Sequence, residues 1–539
     1  MAWSPVIDPL GNLGLSALIA AIPILFLFYA LAVAKMKGHA AALLTIIVAI
    51  LVAVLGYKMP ANLSLWSTAY GALFGLFPIG WIVITAVFLY NLTVKTGQFE
   101  VIKGSVATLT EDRRLQALLI AFSFGAFLEG AAGFGTPVAI TAAMLVGLGF
   151  EPLYAAGICL IANTAPVAFG AIGIPIITAG KVTGLDPMVI SQMVGRQLPF
   201  LSLLVPFWLV FIMSGWKGAR EVMPAILVSG GSFALSQYLT SNFHGPLLPD
   251  IISALVSIIC LALFLRVWKP RNIWRFPEEP PVTLKIERAA LTPGAVLKAW
   301  SPFIVLTILV GDWGMQSVKK VLDVVTVKIP FGPLHEGMVA GGNKAGVFFN
   351  FNWLSAAGTA ILIAAIISAF ILRVRPGQFL SIFWETLYSL RFALVTIACV
   401  LGFAFVANHS GMTPTLGKAL TVTGVIFPFF SAFLGWLGVF ITGSDTSSNA
   451  LFCKMQQITA QNMGLNEVLT VATNSSGGVC GKMISPQSIA VGAASVGLIG
   501  READIFRFTL EALHFPDVAP GLPGLAAGVR PEVDGARPR

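Results

Sequence analysis

FLEGAAGFGTP, residues Phe127 to Pro137, lies deep in apolar sequence yet carries an acid, a run of glycines and a proline. In lipid an unsatisfied backbone group costs several kcal/mol, so such a break persists only where protein buries it or where it lines a watered cavity. Glycine lets the chain turn and come close to a ligand without a Cβ in the way. The half-helix that restarts beyond the break aims free N–H groups, and about half a positive charge, at the cavity. That arrangement suits a carboxylate.

The surroundings are membrane-like throughout. Of 539 residues 57% are hydrophobic and 11% charged, with a mean hydropathy of +0.87. Soluble domains carry about 25% charged residues. LSALIAAIPILFLFYALAV (15–33) and AAALLTIIVAILVAVLGY (40–57) each approach or reach the roughly 20 apolar residues needed to span a bilayer. Further apolar spans read at 69–91, 152–180, 197–214, 222–240, 249–268, 299–312, 353–372 and 380–406. Segments 115–150 and 424–460 are apolar but interrupted, and 465–500 is polar in its middle. The pattern predicts an all-α polytopic membrane protein of about 11–13 transmembrane spans, with two re-entrant, broken-helix hairpins. It divides into a membrane half at 1–268, a cytoplasmic loop at 269–298, a second membrane half at 299–508 and an atypical tail at 509–539, which reads as disordered.

The net charge of +9 does not point to nucleic acid, because the basic residues fall mainly in short inter-helix loops. Lys35, Lys37, Lys95, Lys103, Arg113, Arg114, the run from Lys269 to Lys298, Arg373 and Arg375 share one side if the N-terminus is outside. That assignment works only if 115–150 enters and leaves by the cytoplasmic face. The 313–352 loop, with Lys319, Lys320, Lys328 and Lys344, runs against the rule. No secretory signal is present, since basic residues follow the first apolar segment. The five cysteines form no CxxC pair, so neither a disulfide nor a metal site is expected.

The opening stretch has a counterpart. FITGSDTSSNA (440–450) aligns with it, and Gly97 to Gly130 spans 33 residues where Gly411 to Gly443 spans 32. Downstream, ANTAPVAFGAIGIP and TNSSGGVCGKMISP both read Asn-[Ser/Thr], Gly seven residues after the Asn and Pro twelve after it. The repeats lie at about 69–214 and 380–500. On the assigned topology they run in opposite senses, an architecture of secondary transporters whose sites lie at mid-membrane where broken helices meet.

The candidate substrate contacts are therefore Gly130, Gly133, Gly135, Thr136, Asn163, Thr164, Ser444, Ser447, Asn449, Asn474, Ser475 and Lys482. The Asn-[Ser/Thr] pairs are expected at unwound points, where they contact substrate or else only satisfy freed backbone. Lys482 is the best cationic partner for a carboxylate; Lys454, Arg391 and Arg196 compete for that role or sit at interfaces. Glu129, Asp445 and His409 are the proton-coupling candidates. A carboxylate at mid-membrane costs about 2.5–3.5 kcal/mol on insertion scales, so it either carries a proton or is fixed as an ion pair or helix cap. For His409 the plainer reading, a loop histidine, is the favoured one. SGGVCGKM fails the P-loop pattern at Ser476 and Met483, the glycine run lacks a βαβ unit, and no nucleophile or metal set is visible. No cofactor is expected.

EGAAGFGTPVAI (129–140), ANTAPVAFGAIGIPI (162–176), GSDTSSNALF (443–452) and SSGGVCGKMISPQSIAVG (475–492) resemble the L-lactate permease family of bacterial inner-membrane carriers, from the N-terminus to about Phe508. The resemblance implies a multi-pass protein of the cell inner membrane that takes up L-lactate, and usually D-lactate and glycolate, with a proton. It implies no enzyme activity, and its partners are a small monocarboxylate, a proton and the bilayer, with room for a homo-oligomer. The competing readings are a sodium-coupled di- or tricarboxylate carrier and an anion channel. Members of that family continue after the equivalent of GREADIFRFTL into a final apolar helix. This chain reads EALHFPDVAPGLPG there, which predicts an ending without that helix, by truncation or frameshift.

Overall fold

Helices dominate because so apolar a chain can satisfy its backbone in lipid only within each segment. The computed structural model describes residues 3–133, 135–277, 279, 291–340, 343–344 and 346–513. Among these, eight helices are long and apolar enough to cross a membrane: Leu13–Val33, Gly38–Gly56, Ala61–Lys95, Arg113–Ala131, Pro187–Glu221, Pro249–Val267, Pro293–Gly314 and Pro376–Ser410. A bent pair, Pro152–Ala162 with Val167–Thr183, makes a ninth. Shorter apolar helices at Thr136–Gly147, Ala357–Leu372 and Phe427–Thr442, and the more polar Met223–Phe243, Asp445–Asn462 and Glu467–Lys482, join them in the bundle. The chain is an all-α polytopic membrane protein. Its little strand structure lies in the 313–352 segment, where Val327–Pro330 pairs antiparallel with Phe348–Phe351. The last helix, Glu502–Leu513, runs into the stretch assigned to the tail; the rest of that tail lies outside the described residues.

Two sets of contacts fix the ends of the bundle. Trp3 N donates to the Gly337 carbonyl at 2.7 Å and Val339 N to the Trp3 carbonyl at 2.8 Å, while Thr415 Oγ1 donates to the Ile7 carbonyl at 2.5 Å. The N-terminus, the 313–352 segment and the approach to the second hairpin therefore share one face. Ala61–Lys95 starts on that face, where Trp66 meets Phe331 with ring centres 5.5 Å apart, and carries the chain to the other. There the first hairpin is rooted by Arg114, fully buried, which donates to Asp112 (2.8 Å), Glu221 (2.9 Å) and the Gly218 and Asn272 carbonyls (3.1 Å each). Arg113 pairs with Glu279 at 2.7 Å, and its hydrogen bonds hold that carboxyl below the usual carboxylate range. These arginines are neutralised anchors, not free loop charge.

Both broken hairpins are present. Arg113–Ala131 ends at a turn through Gly133 (φ +57°) and Gly135 (φ +82°), and Thr136–Gly147 packs back against it. Phe427–Thr442 ends at Gly443 (φ +68°), and Asp445–Asn462 returns beside it with Ser444 as N-cap. The crossing after each hairpin differs from expectation in one half. Pro152–Ala162 stops at Asn163, the chain bends by 65°, and Ala171, Ile172 and Gly173 take left-handed backbone at φ +44°, +56° and +69°. Glu467–Lys482, by contrast, runs unbroken through Asn474 and Ser475, and its break comes at Met483–Ser485 before Pro486. Pro166 explains the difference: it lacks an N–H and clashes with the preceding turn, and no proline follows Asn474 until Pro486. With Gly170 aligned to Gly481, the second break matches the left-handed segment at 171–173.

Small residues hold the second hairpin to its crossing, as membrane helices pack closest where Cβ atoms are missing. A Cβ on Gly435 would lie 1.9 Å from the Asn474 carbonyl oxygen, one on Gly477 2.5 Å from that of Ala432, and one on Gly481 2.4 Å from that of Trp436. Overpacking of this kind costs about 1–3 kcal/mol. Gly435→Ala is expected to lower the detergent-solubilised protein's melting temperature, while Gly294→Ala, with open space around it, leaves it unchanged; equal melting of both variants would contradict the close-packed interface.

Candidate functional site

The two hairpin turns and the two helix breaks meet around one cavity of about 80 Å³, lined by residues from all four. One water needs roughly 10–15 Å³ on the same measure, so there is room for several waters or a small solute. Four helix starts surround it. Gly135 precedes the helix beginning at Thr136, Ser444 caps the one beginning at Asp445, Gly170 opens the restarted first crossing, and Gln487 and Ser488 lie in the first turn after Pro486. Each start presents free N–H groups and a partial positive charge, and together they favour an anion.

Three charged side chains line the cavity: Glu129, Asp445 and Lys482, 5%, 3% and 9% exposed. Lys482 Nζ donates to the Gly443 carbonyl at 2.6 Å, tying the end of the second crossing to the second hairpin turn. Glu129 fits because position 170 is glycine, where a Cβ would lie 2.7 Å from its Oε1; its Oε2 has no hydrogen-bond partner among the described residues. Asp445 Oδ2 accepts from Ser475 Oγ (2.5 Å) and Asn449 Nδ2 (3.3 Å), leaving Oδ1 without one.

Behind Asp445 the polar residues form a scaffold. Asn449 Nδ2 also donates to the Pro175 carbonyl at 3.1 Å, linking the second hairpin to the first crossing. Asn449 Oδ1 accepts from Asn474 Nδ2 (2.8 Å), whose Oδ1 accepts from Gln456 Nε2 (2.7 Å). Gln456 Oε1 in turn accepts from Ser431 Oγ.

Of the residues singled out in the sequence, Gly133, Gly135, Ser444, Glu129, Asp445 and Lys482 line the cavity. Asn449, Asn474 and Ser475 stand one layer behind it. Gly130 packs against Asp250, whose Cβ would lie 2.8 Å from an added Cβ. Thr136 and Ser447 sit in first turns beside the cavity without lining it. Thr164 Oγ1 bonds back to the Ile161 carbonyl at 2.7 Å, satisfying freed backbone, and Asn163 is buried beside the break. His409 lies on the N-terminal face instead, with Nδ1 2.9 Å from Ser67 Oγ and its carbonyl accepting from Trp3. Lys454 is spent on Thr183 and Gln457, Arg391 on Tyr388 and Arg196 on Asn242.

Sequence reasoning missed Gln487 and Ser488, although S-P-Q-S, with Ser485 as cap and Pro486 at the first position, marks a helix start. It also missed Asp250, which reads in LLPDIISALV as an ordinary first-turn acid. Among the described residues no group of three or more His, Cys, Asp or Glu could hold a metal.

Removing the Asn449 amide would take away the side-chain partner of the Pro175 carbonyl and leave the Asn474 amide with only Ser448 Oγ at 3.4 Å, at about 1–3 kcal/mol for a buried group left unpaired. Asn449→Ala is thus expected to melt several degrees below the parent, and a variant of parental stability would show that water replaces the link.

A model of the L-lactate permease family matches residues 16–517. The chain is 56% identical to the L-lactate permease of Bacillus subtilis (strain 168), over 95% of this chain and 96% of that one. It is 54% identical to the glycolate permease GlcA of Escherichia coli (strain K12), over 95% of each, and 53% identical to that organism's L-lactate permease, over 94% and 95%. The solved Alcanivorax borkumensis YdaH transporter overlays with a TM-score of 0.44 at 15% identity, covering 87% of each chain, a likeness too loose to bear on the site.

Proposed function

The chain belongs to the L-lactate permease family, as a multi-pass protein of the bacterial inner membrane, and we propose that it imports L-lactate, with D-lactate and glycolate as further substrates, by symport with a proton. The observation that carries this reading is the single cavity in which four helix starts and Lys482 face two buried carboxyls. A 2-hydroxymonocarboxylate would set its carboxylate against the helix N-termini and the lysine, and its hydroxyl among Ser444, Gln487 and Ser488. Asn449, Asn474 and Ser475 act by orienting Asp445. Charge counting supplies the coupling. Lys482 balances one carboxylate, so the second and the incoming anion leave two uncompensated negative charges; protonation of Glu129 or Asp445 removes one of them for the crossing, and the four helix starts face the other. The chain is a carrier, not a catalyst, and every group the cycle uses comes from one copy. The two halves act as an inverted pair; this is supported by hairpins rooted on opposite faces, one at Arg114 and one beside Ile7.

Reconstituted in liposomes, the protein is expected to accumulate radiolabelled L-lactate when the outside is acid, without sodium, and to lose the accumulation to a protonophore. Lys482→Met removes a charge-assisted hydrogen bond worth about 1.5–3 kcal/mol, so half-maximal uptake should need roughly 10- to 100-fold more lactate. Glu129→Gln and Asp445→Asn should each lose pH-driven accumulation. If both keep it in full, neither carboxyl carries the proton.

A further inference from the structure

Asp250 sits in the first turn of Pro249–Val267 and is 1% exposed. An acid there ordinarily accepts from the free N–H groups of its own helix start, yet neither Asp250 oxygen has a hydrogen-bond partner among the described residues. Nor, among those residues, does a cation face it. Among the helical segments packed closely against Pro249–Val267, Ala117–Phe124 has no titratable group, Met223–Phe243 carries only Tyr238, 40% exposed, and Gly170–Thr183 only the exposed Lys181. His244, just upstream, turns Nε2 to the Gly311 carbonyl at 2.9 Å. The remaining neighbour is Gly125–Ala131, which carries Glu129 as its titratable group. Gly130 brings the two together: with no side chain there, the backbone beside Glu129 lies directly on the Asp250 Cβ, 2.8 Å from where a Cβ would stand.

The geometry points to a role, resting on the proton-symport reading above: we propose that Asp250 is a second proton-holding carboxyl of the carrier, behind Glu129 on the side away from the cavity, and that the two exchange one proton during the cycle. Glu129 lines the cavity and meets solvent or substrate; Asp250 does not line it. The step is a proton transfer in which an O–H bond breaks on one carboxyl as another forms on the other, relayed through a bridging water because no hydrogen bond joins the two directly, with the pair holding one negative charge throughout. No electron moves and no co-reactant is needed. Two adjacent buried carboxyls behave this way because like charges at close range cannot both be ionised. Lys482 acts on Glu129 and on Asp445, so it compensates the charge when it stands at Glu129, and substrate entering beside the lysine favours moving that charge back to Asp250.

The test uses Asp250→Asn in liposomes, with two readouts on one preparation: lactate accumulation driven by a pH gradient, and lactate counterflow at equal pH, which needs binding and crossing but no net proton movement. The expected result is a loss of at least tenfold in pH-driven accumulation, with counterflow within about twofold of the parent and a flattened pH profile. Unchanged pH-driven accumulation overturns the proposal. Equal loss of both activities in a protein that still elutes as a single folded species also overturns it, because Asp250 would then be a packing residue. Should Asp250→Asn fail to fold, Asp250→Ser, smaller and equally neutral, is read by the same criteria. Absence of pH-driven accumulation in the parent itself would sink the symport reading, an outcome distinct from either result on the variant.

Discussion

The hydrogen bond from Lys482 Nζ to the Gly443 carbonyl closes the centre of this bundle, because it answers the hardest demand that oil makes on a polypeptide. A helix that stops inside a membrane leaves carbonyls and N–H groups without partners, and a lysine placed there is itself expensive. Here each meets the other's need. The carbonyl end of Phe427–Thr442 receives an ammonium group, which complements its partial negative charge, and the lysine gains a fixed acceptor close to two carboxyls. Because the other three interruptions gather at the same place, the irregular backbone is enclosed by protein on most sides and opens only to the cavity.

The polar residues near that centre divide into two layers with different physics. Those at the cavity wall, Glu129, Asp445 and Lys482, are incompletely satisfied and able to respond to a solute. Those behind, from Asn449 through Asn474 to Gln456 and Ser431, spend their donors and acceptors on one another and hold one arrangement. Such a network fixes geometry when every member is paired, which is what positioning a carboxyl beside a small anion requires.

Much of this was legible in the sequence. Glycine and proline within apolar runs located both hairpins and the first break, since lipid permits such residues only for a reason. The spacing of Gly170 to Pro175 and of Gly481 to Pro486 marks the two halves as similar and brackets the left-handed segment and its counterpart, but by itself it does not place them. The same alignment misplaced the second break at Asn474, because a side chain alone does not interrupt a helix while the backbone N–H it would displace still has its partner; Pro166 lacks that N–H. Asp250 and the anchoring role of Arg114 were hidden for another reason. Each depends on elements more than a hundred residues away, Gly130 for the one and Glu221 with Asn272 for the other, and no local pattern encodes such meetings. His409 looked well placed by its closeness in sequence to the second hairpin, but its helix carries it to the end of the bundle.

The strap formed by the first residues has a practical side. Trp3 is zipped to the segment around Gly337 and Val339, and the carbonyl of Val6 fills the space that a side chain at position 411 would take. A fluorescent fusion or affinity handle joined at the amino end would pull on the approach to the second hairpin.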